Sequence, residues 1–310
     1  MTRILVTGAS GLLGSNIVRE ASQVLETTAV VHQHLLGFEG VKVISADLTD
    51  ASRATAVILD ADPDWVIHCA ADTSIDELES APERAQRVNV EMTRNVARAC
   101  SEADARLLYV STDSVFSGEG GPYSEADHPE PRNVYARSKL EGEQAALVGV
   151  SEALVVRTNL FGWGPGEKRS LAEWFLSNLQ QSVPAPGFVD VHFSPVYAPE
   201  LAQIFFRMLH QELKGLYHVP GADCVSKFEF GVRLALTMGF DSGLIQRAES
   251  GQVDWQAQRP KRTCLDGSKL ADELSIDLPD LSDGLAHFRA DLDRGYFAES
   301  KDNSLGGTYA

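Results

Sequence analysis

Short apolar-rich runs at residues 3–7, 28–32, 41–45, 64–69, 106–111 and 153–157 predict strands, most of them buried. Between them lie segments whose apolar positions return at helical spacing, predicting helices through about Leu25, from about Ala51 and over residues 82–102. Strand and helix alternating in this way imply a parallel sheet with helices on both faces, a doubly wound α/β fold. Beyond Gly162 the rhythm breaks, with Trp163, Pro165, Pro184, Pro186, Pro195 and Pro199 punctuating short segments. The expected organisation is a nucleotide-binding domain over residues 1–160 and a smaller C-terminal substrate-binding lobe over 161–297 whose chain can cross back into the first. A polar tail at 298–310 is expected to be flexible. The Gly/Pro-rich stretch 117–133 is long enough to close over a site.

The first run leads directly into Gly8-Ala-Ser-Gly11-Leu-Leu-Gly14. Strand, glycine turn and helix together form the context that a dinucleotide requires. Gly8 permits the tight turn, Gly11 lets the backbone approach a pyrophosphate, and Gly14 lets helix and strand pack closely. The helix N-terminus adds N–H groups and partial positive charge. A second candidate is Tyr135 and Lys139 in Val-Tyr-Ala-Arg-Ser-Lys-Leu, one helical turn apart and on one face. An adjacent ammonium favours phenolate, which would bring the phenol of Tyr135 from about 10 toward working pH.

Charge narrows the partners. Lys and Arg number 27 against 44 Asp and Glu, so 27 − 44 = −17, and such a field repels nucleic acid and anionic membrane while leaving room for a small anion held locally. No apolar run reaches about 18 residues, and the N-terminus reads as no signal peptide, so a cytoplasmic protein with no membrane partner is expected. Cys69, Cys100, Cys224 and Cys264 lack metal-ligand spacing, and four reduced thiols with no metal are expected.

Several segments together resemble one family. They are the turn 8–14, Ala46-Asp-Leu-Thr-Asp50, His68-Cys-Ala-Ala-Asp-Thr-Ser-Ile-Asp-Glu-Leu-Glu79, Arg87-Val-Asn89, Ser111-Thr-Asp-Ser-Val-Phe-Ser-Gly118, Pro131 through Glu143, Arg157-Thr158, Gly215-Leu-Tyr-His218, Arg259-Pro260 and Leu265-Asp266. Over nearly its whole length the chain resembles extended short-chain dehydrogenase/reductases, and among them the dTDP-4-dehydrorhamnose reductases. The related methionine adenosyltransferase β subunit looks similar too, and offers an alternative reading as a cofactor-binding regulatory subunit. A nucleotide-sugar epimerase is a third.

The resemblance implies a catalytic group in which Thr112 bonds the substrate carbonyl, Tyr135 donates the proton, and Lys139 lowers the Tyr135 pKa and holds the nicotinamide ribose. It implies cofactor contacts from Gly8, Ser10, Gly11, Leu12, Leu13, Gly14, Asp47, Leu48, Cys69, Ala70, Ala71 and Asn89, with Tyr135 and Lys139. The second strand ends Val30-Val-His32-Gln-His34 without the carboxylate that selects NAD(H), so NADP(H) is preferred with NAD(H) allowed, and His32 can assist. Asp113, Asn159, Ser194, Tyr197 and Arg259 are candidates for substrate, as are Phe161, Trp163, Lys168 and Arg169. Ser114 stands where the dehydratases carry Glu and the reductases Tyr, and Leu160 where the reductases carry Trp. Dehydration is thereby disfavoured and the identity of the sugar left open. The expected activity is reduction of a keto group on a nucleotide-activated sugar, with a homodimer as the allowed assembly.

Overall fold

The computed structural model describes residues 2–165 and 169–295, so Lys168 and the expected tail lie outside the described residues. Arg3–Thr7 (β1), Glu26–Val31 (β2), Lys42–Ser45 (β3), Trp65–His68 (β4), Arg106–Thr112 (β5), Leu154–Thr158 (β6) and the strand Gly215–His218 form one seven-stranded sheet. Every pairing is parallel, and the order runs Gly215–His218, β6, β5, β4, β1, β2, β3. The order reverses at β1, which opens a crevice beyond the carboxyl ends of β1 and β4, the place where such sheets bind ligands. Register brings Thr7 opposite His68, His68 opposite Tyr109, and Thr112 opposite Thr158.

The sheet is buried on both faces, as parallel sheets must be. One face packs under the helices Leu12–Ala21 (α1) and Ala198–His210, the other under Ala51–Ala61 (α2), Met92–Glu102 and Val134–Gly149. Ile4, Leu5 and Val6 are 0–1% exposed, each stabilising the sheet by about 1.5–3 kcal/mol. A separate aromatic core, with Phe161, Phe175, Phe193, Phe230 and Phe288, holds the lobe. The chain re-enters the sheet through helix Ala198–His210 and strand Gly215–His218 before returning to that lobe. Among the described residues no helix is long and apolar enough to cross a membrane.

Three expectations change. The helix expected over 82–102 is three pieces, Pro82–Ala85, a π-helical turn Gln86–Glu91, and Met92–Glu102. The wider turn carries Asn89, 1% exposed, toward the loop after β4. The stretch 117–133 is tied down: Tyr123 stacks on Phe116 at 4.2 Å, its N–H donates to the Cys264 carbonyl at 2.9 Å, and Glu125 accepts from the His218 N–H at 2.7 Å. Finally, only Cys69 and Cys100 are free thiols, whereas Cys224 and Cys264 form a disulfide with Cα atoms 5.6 Å apart. Strand Val225–Ser226 pairs with His192–Phe193, and Thr263 donates its N–H to the His192 carbonyl at 3.0 Å, so two cysteines remote in sequence flank one strand.

Candidate active site

The glycine turn is shaped as the sequence requires. Gly8 has φ +66°, and a Cβ there would lie 2.7 Å from the Ala70 backbone. A Cβ on Gly14 would lie 2.3 Å from the Gly8 carbonyl oxygen, so the close approach Gly14 permits is to the turn itself. No side chain caps α1 at Gly11, which leaves its first N–H groups for an anion. Leu13 and Leu48 are buried in the core, so their side chains are taken up by packing and only their backbone is left for a ligand. Ser10 and Leu12 are half-buried at the turn, the backbone of Cys69 and Ala70 lies against Gly8 from the end of β4, and Ala71 follows them half-buried. At the outer edge His32 Nε2 stands 3.9 Å from Asp47, whose carboxylate lies below its usual range: burial would raise it, and two hydrogen bonds from Thr49 outweigh that.

Asn133 positions Tyr135. Its side chain accepts from the Ala136 N–H at 2.8 Å, capping the helix Val134–Gly149, and donates to the Gln258 carbonyl at 2.8 Å. Tyr135 is therefore fixed one residue inside the helix, 8% exposed, with its hydroxyl hydrogen-bonded to Thr112 at the end of β5. Thr112 in turn donates to Asp113 at 3.1 Å. Asp113 is 1% exposed and accepts also from Ser114 at 3.2 Å, Asn159 at 2.8 Å and Thr263 at 2.5 Å. Burial raises this carboxyl above its usual range, although all four donors work against the rise. Asp113 and Asn159 thus spend their side chains on each other and on protein neighbours.

Lys139 departs from expectation. Its ammonium donates to the Val110 carbonyl at 2.7 Å and lies 4.2 Å from the centre of the Tyr109 ring. Burial lowers it to about 8, against the attraction of Glu143 and Cys69. The phenol of Tyr135 moves up, to about 12, chiefly through burial, with the negative charges of Asp113 and Asp72 adding to it and the Thr112 bond opposing it. Desolvation outweighs any help from Lys139, so Tyr135 keeps its proton through neutral pH, which is the state a donor needs.

Below Lys139 the helix carries Glu143, which forms a buried bidentate pair with Arg157 at 2.7 and 2.8 Å and accepts from Ser111 at 2.5 Å. Glu143 follows Lys139 by one turn and Tyr135 by two, so helical spacing alone could have placed it on this face. Asn89 donates to the Asp72 carbonyl at 3.0 Å and to Ser138 at 2.9 Å, and accepts from the Asp72 N–H at 2.8 Å. It locks the loop after β4 to the Tyr135 helix.

The substrate candidates divide. Arg259 reaches the site: one guanidinium nitrogen donates to Asp76 at 2.6 Å, the group lies 5.1 Å from the Trp255 ring, and Nη1 is buried without a partner. Tyr197 does not, being 2% exposed and donating to Asp291 in the lobe core. Phe161 is 1% exposed, and Trp163 stacks on Phe288 at 4.0 Å. These rings belong to the aromatic and aliphatic core of the lobe, packed with Phe230, Leu285 and Phe288. Ser194 is 3% exposed, and Arg169 donates to Ser177 on the outside of the lobe at 2.7 Å.

A parallel sheet with a glycine cradle beside a Thr–Tyr–Lys group defines an NAD(P)-dependent oxidoreductase of the short-chain dehydrogenase/reductase class. The chain belongs to the RmlD substrate binding domain family, whose profile matches residues 1–294. It is 35% identical over 292 residues to the probable low-salt glycan biosynthesis reductase Agl14 of Haloferax volcanii, covering 92% of this chain and 96% of that one. It is 32% identical to the methionine adenosyltransferase 2 subunit beta of Rattus norvegicus, over 86% of this chain and 81% of the relative. Among solved structures, the dTDP-4-dehydrorhamnose reductase of Bacillus anthracis in complex with NADP superposes with a TM-score of 0.81 at 26% identity, covering 94% of this chain and 100% of that one.

Proposed function

We propose that this protein is an NADP(H)-dependent reductase of a keto group on a nucleotide-activated sugar. The observation that carries the reading is the buried Tyr135 phenol, protonated at neutral pH and bonded to Thr112, on the same helix face as a buried Lys139. The Gly8–Gly14 turn and the uncapped start of α1 would hold the cofactor phosphates, and Lys139 the nicotinamide ribose. When bound, the nicotinamide supplies a hydride to the carbonyl carbon. The carbonyl oxygen then gains the electron pair of its π bond, Tyr135 delivers its proton to that oxygen, and Thr112 fixes the oxygen within reach of the phenol. Lys139 offsets the negative charge left on the tyrosine. Arg259, with an unfilled guanidinium nitrogen, would bind the diphosphate, and residues 161–297 would contribute the substrate-binding part.

The reading carries the cytoplasm as location, where the nicotinamide pool is kept reduced, and a homodimer as assembly, which sedimentation equilibrium measures. Likeness to the methionine adenosyltransferase subunit supports a second reading, a cofactor-binding regulatory subunit. Oxidation of NADPH in the presence of a nucleotide-linked keto sugar separates the two. Tyr135→Phe should lower that turnover by about 10²-fold or more while leaving NADPH affinity unchanged. Wild-type protein that binds NADPH but oxidises none with any keto sugar would favour the regulatory reading.

A further inference from the structure

One corner of the site gathers nitrogen donors that have no protein acceptor. From Asp113 a chain of contacts leads outward: Thr263 donates its hydroxyl to Asp113 at 2.5 Å and its N–H to the His192 carbonyl at 3.0 Å, and His192 pairs with Ser226 across an antiparallel ladder. The next residue, Lys227, gives its N–H to the Val191 carbonyl at 2.9 Å and opens the helix Lys227–Met238. Its side chain is partly buried and has no hydrogen bond or ion pair among the described residues.

The surroundings make that arrangement unfavourable unless an anion completes it. The contacts above join the segment of Lys227 to the one that carries Arg259, and in keeping with them Asp113 attracts the Lys227 ammonium while Arg259 repels it. Asp113 already accepts four donated hydrogen bonds, and Asp76 is taken by Arg259. Arg259 Nη1 and His192 Nδ1 are both buried without a partner. Lys227 also stands in the first turn of a helix, at its positive end, where the dipole disfavours a cation. Desolvated donors without acceptors are costly, and a group with several anionic oxygens removes the cost at all of them together.

We propose that Lys227 determines substrate specificity by gripping the phosphate oxygens of the substrate from the helix side, while Arg259 grips them from the loop side. The assignment rests on the nucleotide-sugar reading above. It is tested by calorimetry with dTDP, with thymidine lacking phosphate, and with NADPH. Lys227→Met should weaken dTDP at least tenfold, about 1.4 kcal/mol, while thymidine and NADPH stay within twofold, and Lys227→Arg should retain most of the dTDP affinity. Thymidine and dTDP weakened alike would mark Lys227 as a structural residue and overturn the proposal, as would an unchanged dTDP affinity in a protein where Arg259→Lys does weaken dTDP. Wild-type protein that binds NADPH, ignores both dTDP and UDP and reduces a phosphate-free ketone would overturn the nucleotide-sugar reading and this assignment with it.

Discussion

Thr263 donates its hydroxyl to the Asp113 carboxylate at 2.5 Å, joining residues 150 apart in sequence. The bond fastens the segment that carries Arg259 to the end of the strand that carries Thr112. Thr263→Val keeps the shape and deletes the donor, leaving a buried carboxylate oxygen with Asn159 alone. The expected loss is about 1–3 kcal/mol in a denaturant midpoint, with Thr263→Ser restoring most of it. An unchanged midpoint would mean that water replaces the hydroxyl without cost.

Lys139 predicts a pH dependence of definite sign. Its folded pKa, about 8, lies below the ordinary 10.5, so between these values the folded chain binds fewer protons than the unfolded one and stability rises with pH. The cost of burying the charge is full below about 8, on the order of 3 kcal/mol, and fades toward 10.5. Lys139→Met, which carries no charge to bury, should gain on wild type most at neutral pH and progressively less as pH rises to 10. A difference independent of pH would show that Lys139 titrates normally. The kcat/KM of the wild type should fall above about pH 8, as the ammonium that offsets the tyrosinate is lost.

Cys224 and Cys264 close a loop across a sequence separation of 40, which constrains the unfolded chain by roughly 4 kcal/mol in the loop-entropy account. Cys224 is exposed, so a dithiol reductant has access. Adding dithiothreitol should lower the guanidinium midpoint of the wild type and leave Cys264→Ser unaffected. Equal midpoints with and without reductant in the wild type would indicate free thiols in solution, the ordinary state of cytoplasmic cysteines.

What could be read from the sequence was what local chemistry dictates. The Gly8–Gly14 turn, the strand starts and the Tyr135–Lys139 pair each depend on neighbours within a turn or two of chain. The sign of the Tyr135 shift is not legible locally, because burial, a property of the folded whole, outweighs the one-turn neighbour that spacing reveals. Thr263, His192 and Lys227 carry no local signal for a related reason: their meaning comes from Asp113, Arg259 and one another, far away in sequence. Tyr197, Phe161 and Trp163 looked like ligand platforms because nothing local distinguishes an aromatic that builds a small core from one that lines a cleft.

The return of the chain through Ala198–His210 and Gly215–His218 bears on how new specificities could be recombined from this scaffold. A crossover point at residue 160 would strip the outer strand from β6, leave its amides and carbonyls open to self-association, and uncover the apolar side of α1. A chimaera must instead accept foreign sequence as two inserts, one on each side of the returning strand. The disulfide and the Thr263 hydroxyl lie in the second insert or bridge to it, so that insert also brings with it the contacts that hold Asp113.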